Sequence, residues 1–190
     1  MVHTPDGEDK YLKYFEALAE KYHSSLSSKE ISELNDQIAM DMLKTDIDYK
    51  SGAAEIIKYF KALDYKLVIA TTSPDYMINI YKNENQNIKS KADINVYFDH
   101  IYTKESVKNL KPNSEIYFNV LSDYNINPSD CISLEDSLEG VIASKNAGID
   151  VIAMYDKFSD NNREEINEKS TYQFFSFGEL LANIKNRRSL

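Results

Sequence analysis

The chain has 190 residues, with 42% apolar and 28% charged residues and a formal net charge of −9. That length sets one domain, or one domain with a small insert, around a real core. The acidic balance argues against nucleic acid or an anionic membrane as the main partner, and no apolar run is long enough to span a bilayer. A single cysteine, Cys131, cannot form an internal disulfide, which fits a reducing cytoplasm.

In chain order the first segment reads as helical. Leu12, Phe15, Leu18, Ala19 and Tyr22 recur at helical spacing, and Ser27-Ser-Lys-Glu30 forms a capping box ahead of Ile31, Leu34 and Ile38. From residue 51 the pattern alternates helix and strand. Ala53–Leu63 is amphipathic, and Lys66-Leu-Val-Ile-Ala70 is a continuous apolar strand of the parallel, buried type. Ser73-Pro74-Asp75 should open the next helix, with Ser73 as its hydroxyl cap. The polar stretch Lys82–Asp93 reads as a frayed helix end and surface loop. A short strand is expected within Tyr97–Thr103, then a helix burying Ile116, Tyr117, Val120, Leu121 and Tyr124, and a turn at Asn127-Pro128. The strand that follows, Cys131-Ile-Ser-Leu, ends in Glu135-Asp136. A helix stopped by Gly148, a last strand Val151–Met154 and a closing helix Phe177–Ile184 complete the chain. This order implies an α/β fold, a doubly wound, Rossmann-like parallel sheet with its site at the C-terminal edge of the strands.

The acid pair is the most telling feature. Packing gains nothing from charge at the tip of a buried strand, whereas a divalent cation beside a phosphate requires it. Cys131, at the start of the same strand, reads as a packed thiol. His3, His23 and His100 share no metal-ligand spacing.

Three phrases fall in order at the expected strand ends: Tyr65-Lys-Leu-Val-Ile-Ala-Thr-Thr-Ser-Pro74, Leu110-Lys-Pro-Asn-Ser-Glu-Ile-Tyr117 and Ile132-Ser-Leu-Glu-Asp-Ser-Leu-Glu-Gly140. Together they resemble the haloacid dehalogenase superfamily, in its phosphatase and phosphoglucomutase-like branch, over roughly residues 51 to 180. The resemblance implies catalytic roles for Thr71, Lys111 and Asp136: a hydroxyl and backbone donor, an ammonium on the phosphate, and a carboxylate on the cation. It further implies substrate contacts from Thr72 and Ser73, Mg²⁺ as cofactor on Asp136 and Glu135, and a small phosphorylated metabolite as substrate. Residues 1–48 would be a small helical cap and 49–190 the α/β core.

One part of the family pattern is missing. Relatives begin with a strand ending in Asp-x-Asp-Gly-Thr, whose first aspartate attacks phosphorus. Here the chain opens Met1-Val-His-Thr-Pro-Asp6-Gly7-Glu8-Asp9 and enters a helix. Either Thr4–Glu8 is a decayed version of that motif, or the strand lies upstream of Met1. The second alignment fits better, because no apolar strand precedes Thr4. The first core strand is therefore expected to be absent, leaving its neighbours with unpaired edges and the chain inactive as a phosphatase. A non-catalytic relative that binds a phosphorylated ligand or a protein partner is the alternative. A phosphoacceptor signalling domain is disfavoured, since its acidic cluster precedes the Thr and Lys.

Overall fold

The structure, a computed structural model, describes residues 5–188. Two helices come first, α1 (Pro5–Lys21) and α2 (Ser28–Thr45), packed against each other as a hairpin. The capping box forms as the sequence predicts: Ser27 accepts the Glu30 N–H, and the Glu30 carboxylate takes the Ser27 N–H at 2.8 Å.

The α/β part follows. It comprises α3 (Ala53–Ala62), β1 (Val68–Ala70), α4 (Asp75–Asn83), α5 (Gln86–Ala92), α6 (Ile94–Tyr97), β2 (His100–Tyr102), α7 (Glu115–Tyr124), β3 (Ile132–Glu135), α8 (Leu138–Asn146), β4 (Asp150–Met154), α9 (Arg163–Lys169), β5 (Tyr172–Phe174) and α10 (Phe177–Arg188). Every strand pairing among the described residues is parallel. Helices cover both faces, as side-chain alternation along β4 requires. Val151 and Ala153 pack with Val141 and Ile166 of α8 and α9, while Ile152 and Met154 pack with Ile56 of α3 and Leu180 of α10.

The strands do not form one continuous sheet. β1 pairs with β2, and β3, β4 and β5 form a second sheet in that order. Hence, among the described residues, β1 and β3 each pair with a strand on one side only, the unpaired edges that the sequence reading anticipated. Exposure follows pairing. β4 is buried from Val151 to Met154, whereas β1 is half-buried throughout and Ile132 of β3 is 45% exposed.

Three expectations need correction. Lys82–Asp93 is not a loop: Asn85 caps α5 by accepting the Ile88 N–H, and Ile88 and Ala92 are buried. Fully buried Asn85 also donates to Leu43 O (2.7 Å) and Ile47 O (2.9 Å), which ties the exit of α2 to α4 and α5. A buried amide with three satisfied bonds explains why so polar a stretch is ordered. Second, β4 is not the last strand; β5, of the polar-looking Tyr172-Gln-Phe174, pairs on its outer edge. Third, Ser73 does not cap α4. Pro74 is the cap residue, with no side-chain cap bond.

Candidate functional site

The C-terminal ends of β1, β3 and β4 meet at one rim, and two lysines join them. Lys111, in the turn before α7, donates to Ala70 O at the end of β1 (3.1 Å) and to Glu135 Oε1 at the end of β3 (2.6 Å). Both side chains of this ion pair are buried, at 8% and 10% exposure. Tyr117, one helical turn into α7, donates its hydroxyl to the same carboxylate, accepts from Lys111 at 3.2 Å and lays its ring under the ammonium. Burial pushes the Glu135 carboxyl up from the ordinary carboxylate range, and the Lys111 ammonium opposes that shift.

Lys50, in the segment joining α2 to α3, bridges Asp136 (2.8 Å) after β3 and Asp156 (2.5 Å) after β4. Its hydrogen bonds to Lys50 come first in holding the Asp156 carboxyl below its usual range. Burial acts to lower the Lys50 pKa, but its bonds to the two carboxylates outweigh that and raise it.

Thr71 continues the β1–β2 ladder, its N–H donating to Tyr102 O at 2.9 Å. Its hydroxyl accepts the Ser73 N–H at 3.0 Å, so Thr71 rather than Ser73 organises the turn into α4. Thr72 is exposed and Ser73 half-buried. Asp75, at the start of α4, accepts from the buried Thr103 hydroxyl at 2.6 Å and links that turn to the end of β2.

The strand ends thus draw Lys111 and Glu135 into contact beside Ala70, with Thr71 next in sequence and Asp136 held by Lys50. Tyr117, Lys50 and Asp156 were not singled out in the sequence. Asp156 carries a readable signal, since it lies two residues past an apolar strand, the position that made Glu135-Asp136 visible. Lys50 has no comparable signature. Gly140 has a role tied to Glu135: a Cβ there would overlap the Glu135 carboxylate, so α8 can approach β3 this closely only without a side chain.

The residues present do not by themselves build a Mg²⁺ site. Among the described residues no group of three His, Cys, Asp or Glu side chains could hold a metal. Glu135 is engaged by Lys111 and Tyr117, and Asp136, with a side chain 49% exposed, is engaged by Lys50.

Below the rim, a cavity of about 1180 Å³ runs between the two sheets. Its walls include β1 and β3, with Ile56, Phe60 and Phe177 on one side and Tyr117, Val120 and Tyr124 on the other.

Comparison with known proteins bears on this architecture. A family model described as "Haloacid dehalogenase-like hydrolase" matches residues 8–154. The "Phosphorylated carbohydrates phosphatase" of Thermotoga maritima is 32% identical over 137 residues, which cover 72% of this chain and 58% of that protein. The "Putative phosphatase YhcW" of Bacillus subtilis is 26% identical over 145 residues, covering 75% and 61%. The chain therefore spans about three fifths of the length of these curated relatives. Among solved structures, a putative beta-phosphoglucomutase from Thermotoga maritima has a TM-score of 0.71 at 22% identity, covering 97% of this chain and 84% of that one. CbbY from Rhodobacter sphaeroides, in complex with phosphate, has a TM-score of 0.65 at 24% identity, covering 82% and 67%. These two likenesses concern the fold.

Proposed function

The chain belongs to the haloacid dehalogenase-like hydrolase family, and from that premise we propose that it carries the phosphate-handling half of a phosphatase or phosphomutase site for a small phosphorylated metabolite. The observation that supports this most is the Lys111 ammonium, which joins the end of β1 to the end of β3 at the rim. Phosphoryl transfer needs positive charge and aligned donors where three equatorial oxygens will stand. Lys111 and Thr71 provide these donors, and Thr72 and Ser73, in the loop after β1, contact the bound ester. Relatives named as acting on phosphorylated carbohydrates support a sugar phosphate as substrate. A protein of this kind works in the cytoplasm, and residues 1–48 cover the site as a cap.

Among the described residues, the rim offers no attacking carboxylate outside an ion pair. The three carboxylates placed there, Glu135, Asp136 and Asp156, each have an ammonium partner. An ion pair lowers the nucleophilicity of a carboxylate, and none of these three stands outside one. Asp136 and Glu135 act on Mg²⁺ only in a form that adds carboxylates from the side of the cavity. Without these the chain is catalytically silent. The same pairing favours a second reading, a non-catalytic relative that holds a phosphorylated ligand or a protein partner at the rim.

Phosphate release from a panel of sugar phosphates with Mg²⁺ separates the two. The chain alone should be inactive, and a form extended at its N-terminus by an Asp-x-Asp strand should turn over. Equal activity in both would refute the account of the missing nucleophile. Silence in both, with retained binding of a sugar phosphate, would favour the non-catalytic reading.

A further inference from the structure

The segment that leads from the α1–α2 hairpin into the core is bonded to its surroundings from Leu43 to Lys50. A helix leaves its last carbonyls without donors of its own. At the end of α2 two side chains from the start of α5 supply them: Asn85 Nδ2 donates to Leu43 O (2.7 Å) and Asn87 Nδ2 to Thr45 O (2.7 Å). Asn85 Nδ2 also reaches Ile47 O at 2.9 Å, while its Oδ1 accepts the Ile88 N–H and caps α5. One fully buried amide thus closes the end of one helix and the start of another. At the far end of α5, the Tyr49 hydroxyl donates to Ala92 O (2.7 Å), and Lys91 pairs with Asp48. Burial, and then the charges of Asp93 and Asp48, push the Tyr49 phenol up to about 12, so its donor proton stays in place at neutral pH. α5 therefore lies alongside residues 43–49 and is tied to them at both of its ends. The next residue, Lys50, is bonded to Asp136 and Asp156 at the rim.

We propose that residues 43–50 are a splint and not a hinge: they hold the α1–α2 hairpin on α5 at one fixed position relative to the rim. A hinge works by absorbing a change of φ and ψ at a few residues between two rigid bodies. Turning the chain anywhere in this segment would withdraw the carbonyl of Leu43, Thr45 or Ile47 from its amide donor. Water does not replace the lost partner at Asn85, whose side chain is fully buried, so opening would strand a polar group in the interior. The helix end itself leaves no slack, since the Asp46 and Ile47 N–H groups both turn back to Met42 O, at 2.9 and 3.1 Å. Ion pairs are the lesser part of the splint. Lys91 with Asp48, and Lys44 with Glu84 at 3.2 Å, are open to solvent and contribute little rigidity. One consequence reaches the rim: Lys50, carried at the end of the splint, meets its two carboxylates without any closing motion of the hairpin. The inference rests on this joint alone and stands whether or not the rim processes a phosphate ester.

The test uses the full chain with two spin labels, placed on Glu33→Cys in α2 and Ser122→Cys in α7, both exposed positions, in a Cys131→Ser background. Pulsed EPR should give one narrow distance, the same with and without inorganic phosphate. The double substitution Tyr49→Phe with Asn87→Ala removes a donor at each end of α5 and leaves the buried Asn85 in place. It should broaden the distance distribution and speed amide exchange at Asp46 and Ile47 by at least about tenfold. Asn87→Ala alone should show the same change to a smaller extent. Two distances in the parent, or a shift on adding phosphate, would overturn the proposal. So would a double variant as narrow and as protected as the parent, which would mean that packing of α2 on α4, and not these bonds, holds the hairpin.

Discussion

β4 and the β1/β3 pair are written in the same apolar alphabet, yet they end up in different surroundings. Val151-Ile-Ala-Met154 has strands on both edges and helices on both faces, and all four residues are buried. Val68-Ile-Ala70 and Ile132-Ser-Leu134 have, among the described residues, a strand on one edge only, and remain half-buried or exposed. A parallel strand thus needs four neighbours, and losing one edge opens the faces as well, because the side chains of an absent strand would also have filled the layers above and below. At the rim of the cavity the fold answers with polar ties, Lys111 across the gap and Lys50 beside it, where packing would otherwise serve.

The largest effect should come from cutting the tie across the cavity. Lys111→Met leaves Glu135 buried with no cation and should cost about 4 kcal/mol, read as a lower urea midpoint. The double variant with Glu135→Leu should recover part of the loss. A double variant no better than the single one would mean that the lysine stem, and not the charge pair, carries the stability.

Next comes the strand comparison itself. Ile152→Ala in β4 removes a side chain that is 5% exposed and should cost about 3 kcal/mol. Ile132→Ala in β3 should cost less than about 1 kcal/mol. Equal losses would show that β3 is as well covered as β4. Gly140→Ala forces the Glu135 carboxylate away from α8 and should cost about 2 kcal/mol in the same denaturation assay.

The smallest effect concerns the opposite end of β1. Asp99 accepts from Lys61 (2.8 Å), from the Leu67 N–H (2.9 Å) and from Lys66, which hold its carboxyl down to about 2 against 3.8 in the unfolded chain. Its stabilisation is therefore present above pH 4 and is lost as pH falls toward 2. Asp99→Asn should lower Tm at pH 6 and converge with the parent near pH 2. A constant difference across that window would show that the charge of Asp99 does not pin β1 to β2.

Much of this was legible in the residues. Helix caps such as Ser27–Glu30 and Ser137, whose hydroxyl accepts the Gly140 N–H, are local and depend on side chains only three residues apart. Apolar runs marked β1, β3 and β4 because buried parallel strands tolerate little else. β5 escaped because an edge strand may be polar, and α5 because its order depends on Asn85 bonding carbonyls some forty residues away. At the rim, Thr71, Glu135 and Asp136 could be found by their position after strands, and Lys111 by its place between those two motifs. Lys50 could not, since an ion pair across 86 residues leaves no periodic trace, and Tyr117 was legible only as a buried face residue of its helix. Unpaired edges on β1 and β3 were anticipated, but the division into two sheets required coordinates.

Amide hydrogen exchange, followed residue by residue by NMR, tests the open edges most directly. The N–H groups of Val68, Ala70, Ile132 and Leu134 should exchange orders of magnitude faster than those of Val151–Met154, while Ile69 and Thr71, bonded to β2, remain slow. Protection of all four to the level of β4 in the chain alone would mean that the edges are already paired, and the two-sheet account would fail.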